Sequence, residues 1–222
     1  MYDIVFISYQ EPNADENYKR LKKRFPLAKR VHGVKGIHNA HVAAAKKSFT
    51  KMFWAVDGDA FITENMLFNY VVDEYNLDTV HVWRSLNPVN GLIYGYGGVK
   101  LLPRKLTIDV DTTTSDMTTS ISNKFKAVPF ISNITKFDTS PYEAWKGAFR
   151  ECAKLSSRVI ARQKDKETEQ RLNTWCTIQD GEFGYYAVQG AIAGKKFGQG
   201  DNDISLINNF DWLQEQFNVN TQ

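Results

Sequence analysis

Read for the spacing of apolar and polar positions, the first third of the chain switches repeatedly between a strand period and a helix period. Asp3 to Ser8 is a short run of β-branched and aromatic residues, the pattern of a buried strand. Tyr9-Gln10-Glu11-Pro12-Asn13 after it is loop chemistry stopped by a proline. Asp15 suits a helix N-cap, and Glu16 to Phe25 reads as a cationic helix ending at Pro26. Ala28 to His32 follows as a second strand, Gly33-Val34-Lys35-Gly36 as a turn, and Ile37 to Ser48 as an alanine-rich helix. Lys51 to Val56 is a third strand; Phe53-Trp54-Ala55-Val56 is apolar without a break, as befits a strand covered on both faces. Phe61 to Tyr75 reads as a helix and Thr79 to Arg84 as a strand. Strands alternating with helices predict an α/β fold whose sheet starts parallel.

The second part of the chain changes character. Asn87 to Ser120, with Gly91, Gly95, Gly97 and Gly98, predicts loops and antiparallel strands. The Thr/Ser/Asp-rich run from Asp109 to Ser122 has little to bury and predicts a mobile loop. Thr139 or Ser140 suits a cap and Pro141 a first turn, so a long helix is predicted from Tyr142 to about Arg171. Trp145, Ala148, Phe149, Cys152, Leu155 and Val159 recur along it at helical spacing and predict its buried stripe. A glycine-punctuated segment from Gly181 to Gly200 precedes a short terminal helix around Phe210 to Phe217. No internal repeat is evident. At 222 residues the chain predicts one domain, 1–222, divided into halves at residues 86 and 87.

Composition narrows the class. Hydrophobic residues make up 42% of the chain and charged residues 24%, and no stretch approaches a membrane span, so neither a disordered nor a membrane-spanning protein is predicted. The N-terminus enters a strand without a charged leader, which predicts a cytoplasmic protein with no membrane partner. Cys152 and Cys176 have neither metal nor redox spacing and are predicted to be buried thiols. The net charge of +3 is unevenly spread: residues 1–50 hold ten Lys/Arg against four Asp/Glu, and Lys19 to Lys35 holds eight basic residues and no acid. Further on, Lys146, Arg150, Lys154, Arg158 and Arg162 recur every fourth residue, each advancing about 40° round a helix, so they trace a stripe. Such a stripe either tracks nucleic-acid phosphates or is a solvated face.

Asp57-Gly58-Asp59 carries the clearest chemistry. Two carboxylates one residue apart at the carboxyl end of a buried strand, with a glycine allowing the bend, can converge on a hard cation such as Mg²⁺ or Mn²⁺. That ion neutralises a diphosphate leaving group, and the end of a strand is where open α/β sheets bind ligands. A bare D-x-D also occurs by chance, as in Asp109-Val110-Asp111 and Asp201-Asn202-Asp203, and the alternative for Asp57-Gly58-Asp59 is an ordinary acidic turn at a strand end. His32, His38, His41 and His81 form no zinc spacing and read as surface or core histidines. There is no nucleophile elbow and no Walker A loop. Gly95-Tyr96-Gly97-Gly98 lacks the setting of a dinucleotide fingerprint and reads as backbone brought close to a sugar.

With its initial strand Asp3 to Ser8, its Gly33 to Asn39 turn and helix start, and the motif Trp54-Ala55-Val56-Asp57-Gly58-Asp59-Ala60, the chain resembles the glycosyltransferases of the GT-A fold. Within them it is similar to a group of tailed-phage enzymes that modify hydroxymethylated pyrimidines in viral DNA, the 5-hydroxymethylcytosine arabinosyltransferases in particular. The resemblance implies a Rossmann-related α/β fold with a mixed, mainly parallel sheet flanked by helices. Residues 1–86 would be the nucleotide-sugar and metal half and 87–222 the acceptor half. It implies a UDP-sugar donor, UDP-arabinose above others, a Mn²⁺ or Mg²⁺ cofactor, DNA containing hydroxymethylcytosine as partner, and, for a viral protein, the host cytoplasm. Only about two strand-helix units precede the motif, which abbreviates the base pocket.

Roles follow from that resemblance. Ser8 and Tyr9 would meet the uracil, and Lys35, Gly36 and Asn39 the diphosphate or ribose at a helix start. Asp57 would contact ribose and metal, and Asp59 the metal directly. No histidine follows His81 to complete the shell, which leaves Asp201 or water. Inverting transfer needs a base. Asp116, Asp138, Asp180 and Glu182 are candidates, with Asp180 and Glu182 favoured by their glycine-rich turn beside Trp175, Tyr185 and Tyr186; a retaining reaction needs no such base. Arg150, Lys154, Arg158 and Arg162 would hold DNA phosphates. Two competing readings are the same fold acting on a glycan or protein hydroxyl, and a non-catalytic DNA-binding module.

Overall fold

The computed structural model describes residues 1–95, 97–112, 117–160, 163–178 and 180–221. They fall into two units, Met1–Leu86 with Ile93–Lys136, and Asn87–Leu92 with Phe137–Gln222.

The first unit opens with the expected alternation: β1 (Asp3–Ser8), α1 (Ala14–Arg24), β2 (Lys29–His32), α2 (Ile37–Lys47) and β3 (Met52–Asp57). β1 pairs in parallel with β2 and with β3, Ser8 level with His32 and Ile7 level with Asp57. One face, with Ile4, Phe6, Trp54 and Val56, packs on Ala14 and Leu21 of α1; the other, with Val5, Ile7, Phe53 and Ala55, packs on Ala40, Ala44 and Ala45 of α2. Burial on both faces is why these strands read as continuous apolar runs. The order β2-β1-β3 sends the first crossover to one side of β1 and the second to the other. The carboxyl ends of β1 and β3 therefore flank a topological switch point, the place where such sheets leave a crevice.

β4 (Ala60–Ile62), β5 (Val80–Leu86), β6 (Ile93–Tyr94), β7 (Val99–Pro103) and β8 (Phe125–Thr135) complete a mixed sheet in the order β2-β1-β3-β7-β5-β8-β4, with β6 on β5. β7 runs antiparallel to both β3 and β5, β8 runs parallel to β5, and β4 runs antiparallel to β8. Residues of the short helices α3 (Arg104–Ile108) and α4 (Met117–Ile121) join the α2 side of the core. The fold is α/β, a mixed sheet flanked by helices.

The helix expected over Phe61 to Tyr75 does not form. Met66, Phe68 and Val72 are buried while Leu67, Asn69 and Val71 are exposed, a period of two that belongs to extended chain. β4 takes the start of the segment into the sheet, and the Arg24 guanidinium donates to the carbonyls of Thr63, Glu64 and Met66 at 2.9, 2.7 and 3.0 Å. The cap of α1 also differs: Asn13 precedes the helix, and Asp15 lies in its first turn, where its charge suits the helix dipole and pairs with Arg30 at 2.7 Å.

In the second unit, Ser140 caps α5 (Pro141–Ser156) by accepting the Glu143 N–H at 3.1 Å, with Pro141 in the first turn as expected. The helix does not continue to Arg171. It stops at Ser156, Arg158 takes a positive φ of 59°, and Gln163 Nε2 donates to the Leu155 carbonyl at 3.1 Å before α6 (Asp165–Thr177) begins. The glycine-punctuated stretch is a helix, α7 (Gly184–Gln199), which the sequence reading missed because glycines normally break helices. Here Gly190 and Gly194 let two helix backbones touch: a Cβ at either would lie 2.8 Å from the carbonyl carbon of Trp145 or Phe149 of α5. α8 (Phe210–Asn220) closes the unit, its Leu213 joining Trp145, Phe149, Ala153 and Ile207 in a core edged by Phe197, Trp212 and Phe217. Of the two thiols, Cys152 is buried but Cys176 is only half-buried, a correction to the expectation for the latter. Among the described residues no helix is long and apolar enough to cross a membrane.

Candidate metal and nucleotide site

Asp57 ends β3, and Gly58 turns the chain so that Asp59 stands before β4. Three backbone groups of this bend are tied down. The Asp57 N–H donates to the Gly98 carbonyl at 2.9 Å, Asn17 Nδ2 to the Gly58 carbonyl at 2.9 Å, and the Lys136 N–H to the Asp59 carbonyl at 2.8 Å. A Cβ at Gly58 would sit 2.7 Å from Glu11 Oε2 and 3.1 Å from Ser8 Cβ, so a side chain there would push the Glu11 carboxylate aside. The bend thus holds two carboxylates at the switch point, against the end of β1.

Charge is concentrated there. Glu11 enters from the loop after β1, its Oε2 accepting the Tyr9 N–H at 2.7 Å. Lys100 enters from β7, its Nζ 2.8 Å from both carboxylate oxygens of Asp57 and bonded to the Gly97 carbonyl. Burial, followed by the charges of Asp57 and Glu11, pushes the Asp59 carboxyl up to about 7 against the pull of Lys100. Asp57 and Glu11 crowd Asp59 while a single ammonium answers them, and the net negative charge left over is what a hard divalent cation relieves. Among the described residues no three His, Cys, Asp or Glu side chains are set to hold a metal. Mg²⁺ commonly uses only one or two carboxylates and completes its shell with phosphates and waters, a mode that asks no more of the bend than Asp59, with Asp57 held by Lys100 beside it.

The residues predicted for the nucleotide line the same edge of the first unit. Ser8 Oγ lies 3.0 Å from His32 Nδ1 and accepts from Arg30 Nε at 2.9 Å, while Tyr9 is half-buried in the bend beyond it. Gly36, at φ 90°, starts α2; Lys35 and Asn39 are exposed beside it, Asn39 Nδ2 donating to the Lys35 carbonyl at 3.3 Å. His41 is a core histidine of α2. Burial, with Lys100 nearby, lowers it to about 3, so it is neutral; its Nδ1 lies 2.8 Å from the Ile37 carbonyl and its Nε2 has no partner.

The other candidates lie in the second unit. Asp180 and Glu182 flank Gly181, at φ 77°, in an exposed turn before α7, and the Asp180 N–H donates to the Val89 carbonyl at 2.7 Å. Asp138 approaches the same glycine. Asp201 is exposed just past α7. The basic stripe is not a single helix face. Lys146 pairs with Glu143 at 2.7 Å and Lys154 with Glu151 at 2.9 Å, Arg150 donates to the Ile207 carbonyl at 2.8 Å, and Arg158, beyond the helix end, pairs with Glu169 at 2.7 Å. Asp116, Tyr96 and Arg162 lie outside the described residues.

Sequence reasoning missed Lys100 and Glu11. Lys100 had a signal, a lysine inside the apolar run Val99-Lys100-Leu101-Leu102, because a strand buried throughout must pair its charge. Glu11, in a polar loop, had none.

No protein-family model and no curated protein matches the chain. Several solved structures are similar to it, two of them glycosyltransferases as follows. One is a mannosyltransferase from Pyrobaculum calidifontis in complex with GDP-Man and Mn²⁺, at 11% identity and a TM-score of 0.47, covering 99% of this chain and 84% of that one. The other is a glycosyltransferase involved in the glycosylation of the major capsid of PBCV-1, at 13% identity and a TM-score of 0.35, covering 57% of this chain and 81% of that one.

Proposed function

We propose that the chain is a metal-dependent glycosyltransferase that takes a nucleoside diphosphate sugar at the carboxyl edge of β1, β2 and β3. The observation that carries this reading is the Asp57-Gly58-Asp59 bend at the β1/β3 switch point, where Asp57 and Glu11 crowd Asp59 and Lys100 pairs with Asp57. A Mg²⁺ or Mn²⁺ bound there supplies a Lewis acid for the charge that develops on a departing diphosphate. In this reading Ser8 and Tyr9 meet the base, and Lys35, Gly36 and Asn39 offer the ammonium and the N–H groups of a helix start to phosphate or ribose.

The finer reading, supported by the sequence resemblance, is transfer of arabinose from UDP-arabinose to the hydroxyl of 5-hydroxymethylcytosine in DNA. In it Asp180 or Glu182 is the base for an inverting reaction, Asp201 a third metal ligand, and Arg150, Lys154, Arg158 and Arg162 hold phosphates. A specific observation favours the second reading, a glycan or protein hydroxyl as acceptor: the basic residues of α5 are engaged in pairs and bonds within their own unit.

Incubation with Mn²⁺, a panel of nucleoside diphosphate sugars, and either a hydroxymethylcytosine oligonucleotide or glycan and peptide acceptors separates these, with products weighed by mass spectrometry. A pentose increment on DNA supports the finer reading, and an increment only on other acceptors supports the second. DNA binding with neither transfer nor donor hydrolysis points instead to a non-catalytic module. Asp59→Ala is expected to abolish transfer, and full activity in that variant removes the metal site from the mechanism.

A further inference from the structure

We infer that Lys100 is a resident cation of the acidic site, holding Asp57 in the place of a metal ion and leaving Asp59 as the carboxylate that takes the exchangeable one. This rests on the reading of the site as a cation-dependent donor site, and divides the labour between its two aspartates.

An ammonium has three donors and no acceptor. Lys100 Nζ spends these on Asp57, whose Oδ1 and Oδ2 both lie at 2.8 Å, and on the Gly97 carbonyl. The Lys100 side chain is 4% exposed and that of Asp57 33%, so the pair is gripped from the inside of the sheet. Strand pairing fixes it there: β7 sets Lys100 opposite Ala55 and Val99 opposite Val56, and the Gly98 carbonyl then takes the Asp57 N–H. A buried ammonium that loses its partner leaves an uncompensated charge, so Asp57 stays engaged when another cation arrives. Asp59 feels the Lys100 charge less than the opposing charges of Asp57 and Glu11, which crowd it. Lys100 also removes one unit of negative charge from the set. Without nucleotide the site therefore holds a divalent ion weakly, and the ion binds best together with a diphosphate whose oxygens complete its shell.

The test is a Mn²⁺ titration followed by the EPR signal of the free ion, with and without a nucleoside diphosphate, and with folding checked by circular dichroism. Lys100→Met removes the ammonium from both oxygens of Asp57, and Mn²⁺ binding without nucleotide is expected to tighten by about tenfold or more. The double variant Asp57→Asn/Lys100→Met removes both opposite charges together and keeps the inference testable if the single variant does not fold; its affinity is expected within about threefold of the wild type. A folded Lys100→Met that binds Mn²⁺ no tighter, or a double variant that loses tenfold, overturns the inference while the wild-type titration still supports the functional reading. A wild type that binds no Mn²⁺ with or without nucleotide overturns both.

Discussion

Gly194 of α7 lies directly on the backbone of Phe149 in α5, so close that an added Cβ would stand 2.8 Å from the Phe149 carbonyl carbon. Alanine is intrinsically the better helix former by about 1 kcal/mol. Overpacking against backbone, which cannot rotate aside, costs roughly 1–3 kcal/mol or more and outweighs that gain. Gly194→Ala is therefore expected to destabilise the protein by about 2 kcal/mol, read as a lower urea midpoint. A midpoint equal to or above the wild type's would mean that the two helices are further apart.

Asp3 gives the acid limb of stability a named origin. Burial raises its pKa, but the Phe49 N–H at 2.6 Å, Lys29 Nζ at 2.9 Å and Ser48 Oγ at 3.1 Å outweigh it and hold the carboxyl below its ordinary value. The stabilisation is full above the unfolded-state pKa and is lost as the pH falls through the lowered folded-state value. Asp3→Asn is expected to cost about 1–2 kcal/mol at pH 7 and almost nothing near pH 2. A gap between variant and wild type that persists unchanged at acid pH would show that packing, not the carboxylate, is what the substitution disturbs.

Cys176 and Cys152 share a hydrogen bond that lowers the Cys176 thiol, against its partial burial and with help from Lys195, to about 7, while burial pushes Cys152 up. Cys176 is accordingly expected to react with a disulfide reagent along a pH curve centred near that value, with Cys152 silent until unfolding. Cys152→Ala should move the curve up toward an ordinary thiol. An unmoved curve leaves the pair without influence on reactivity.

How far each feature could be read from sequence follows from how locally it is encoded. β1 and β3 were legible because both faces are covered, leaving unbroken apolar runs, and Asp57-Gly58-Asp59 because its parts are contiguous. Lys100 reaches Asp57 from 43 residues away through the pairing of β7 with β3, and no local spacing encodes that. In α7, glycines four residues apart looked like breaks, although that interval keeps them on one helical face. The segment after β4 misled for another reason: Leu67 and Val71 are apolar but exposed, 56% and 80%, and they mask the alternation of the buried residues between them.

That segment supplies the last expectation. Met66, Phe68 and Val72 cover one face of the sheet without a regular hydrogen-bond ladder, and Arg24 does part of a ladder's work with bonds to the carbonyls of Thr63, Glu64 and Met66. Its fork serves three diverging acceptors from one planar group, a geometry that a lysine ammonium on a flexible stem does not reproduce. With the guanidinium a quarter exposed, the net loss for Arg24→Lys is expected at about 2 kcal/mol, below the sum for three buried charged bonds. The effect should be local before it is global. Hydrogen exchange at the amides of residues 66–72 should accelerate well before exchange in β1 and β3, whose bonds lie in the doubly covered part of the sheet. Uniform acceleration across the sheet, or none after 63, would mean that Phe68 and its neighbours are held by packing alone.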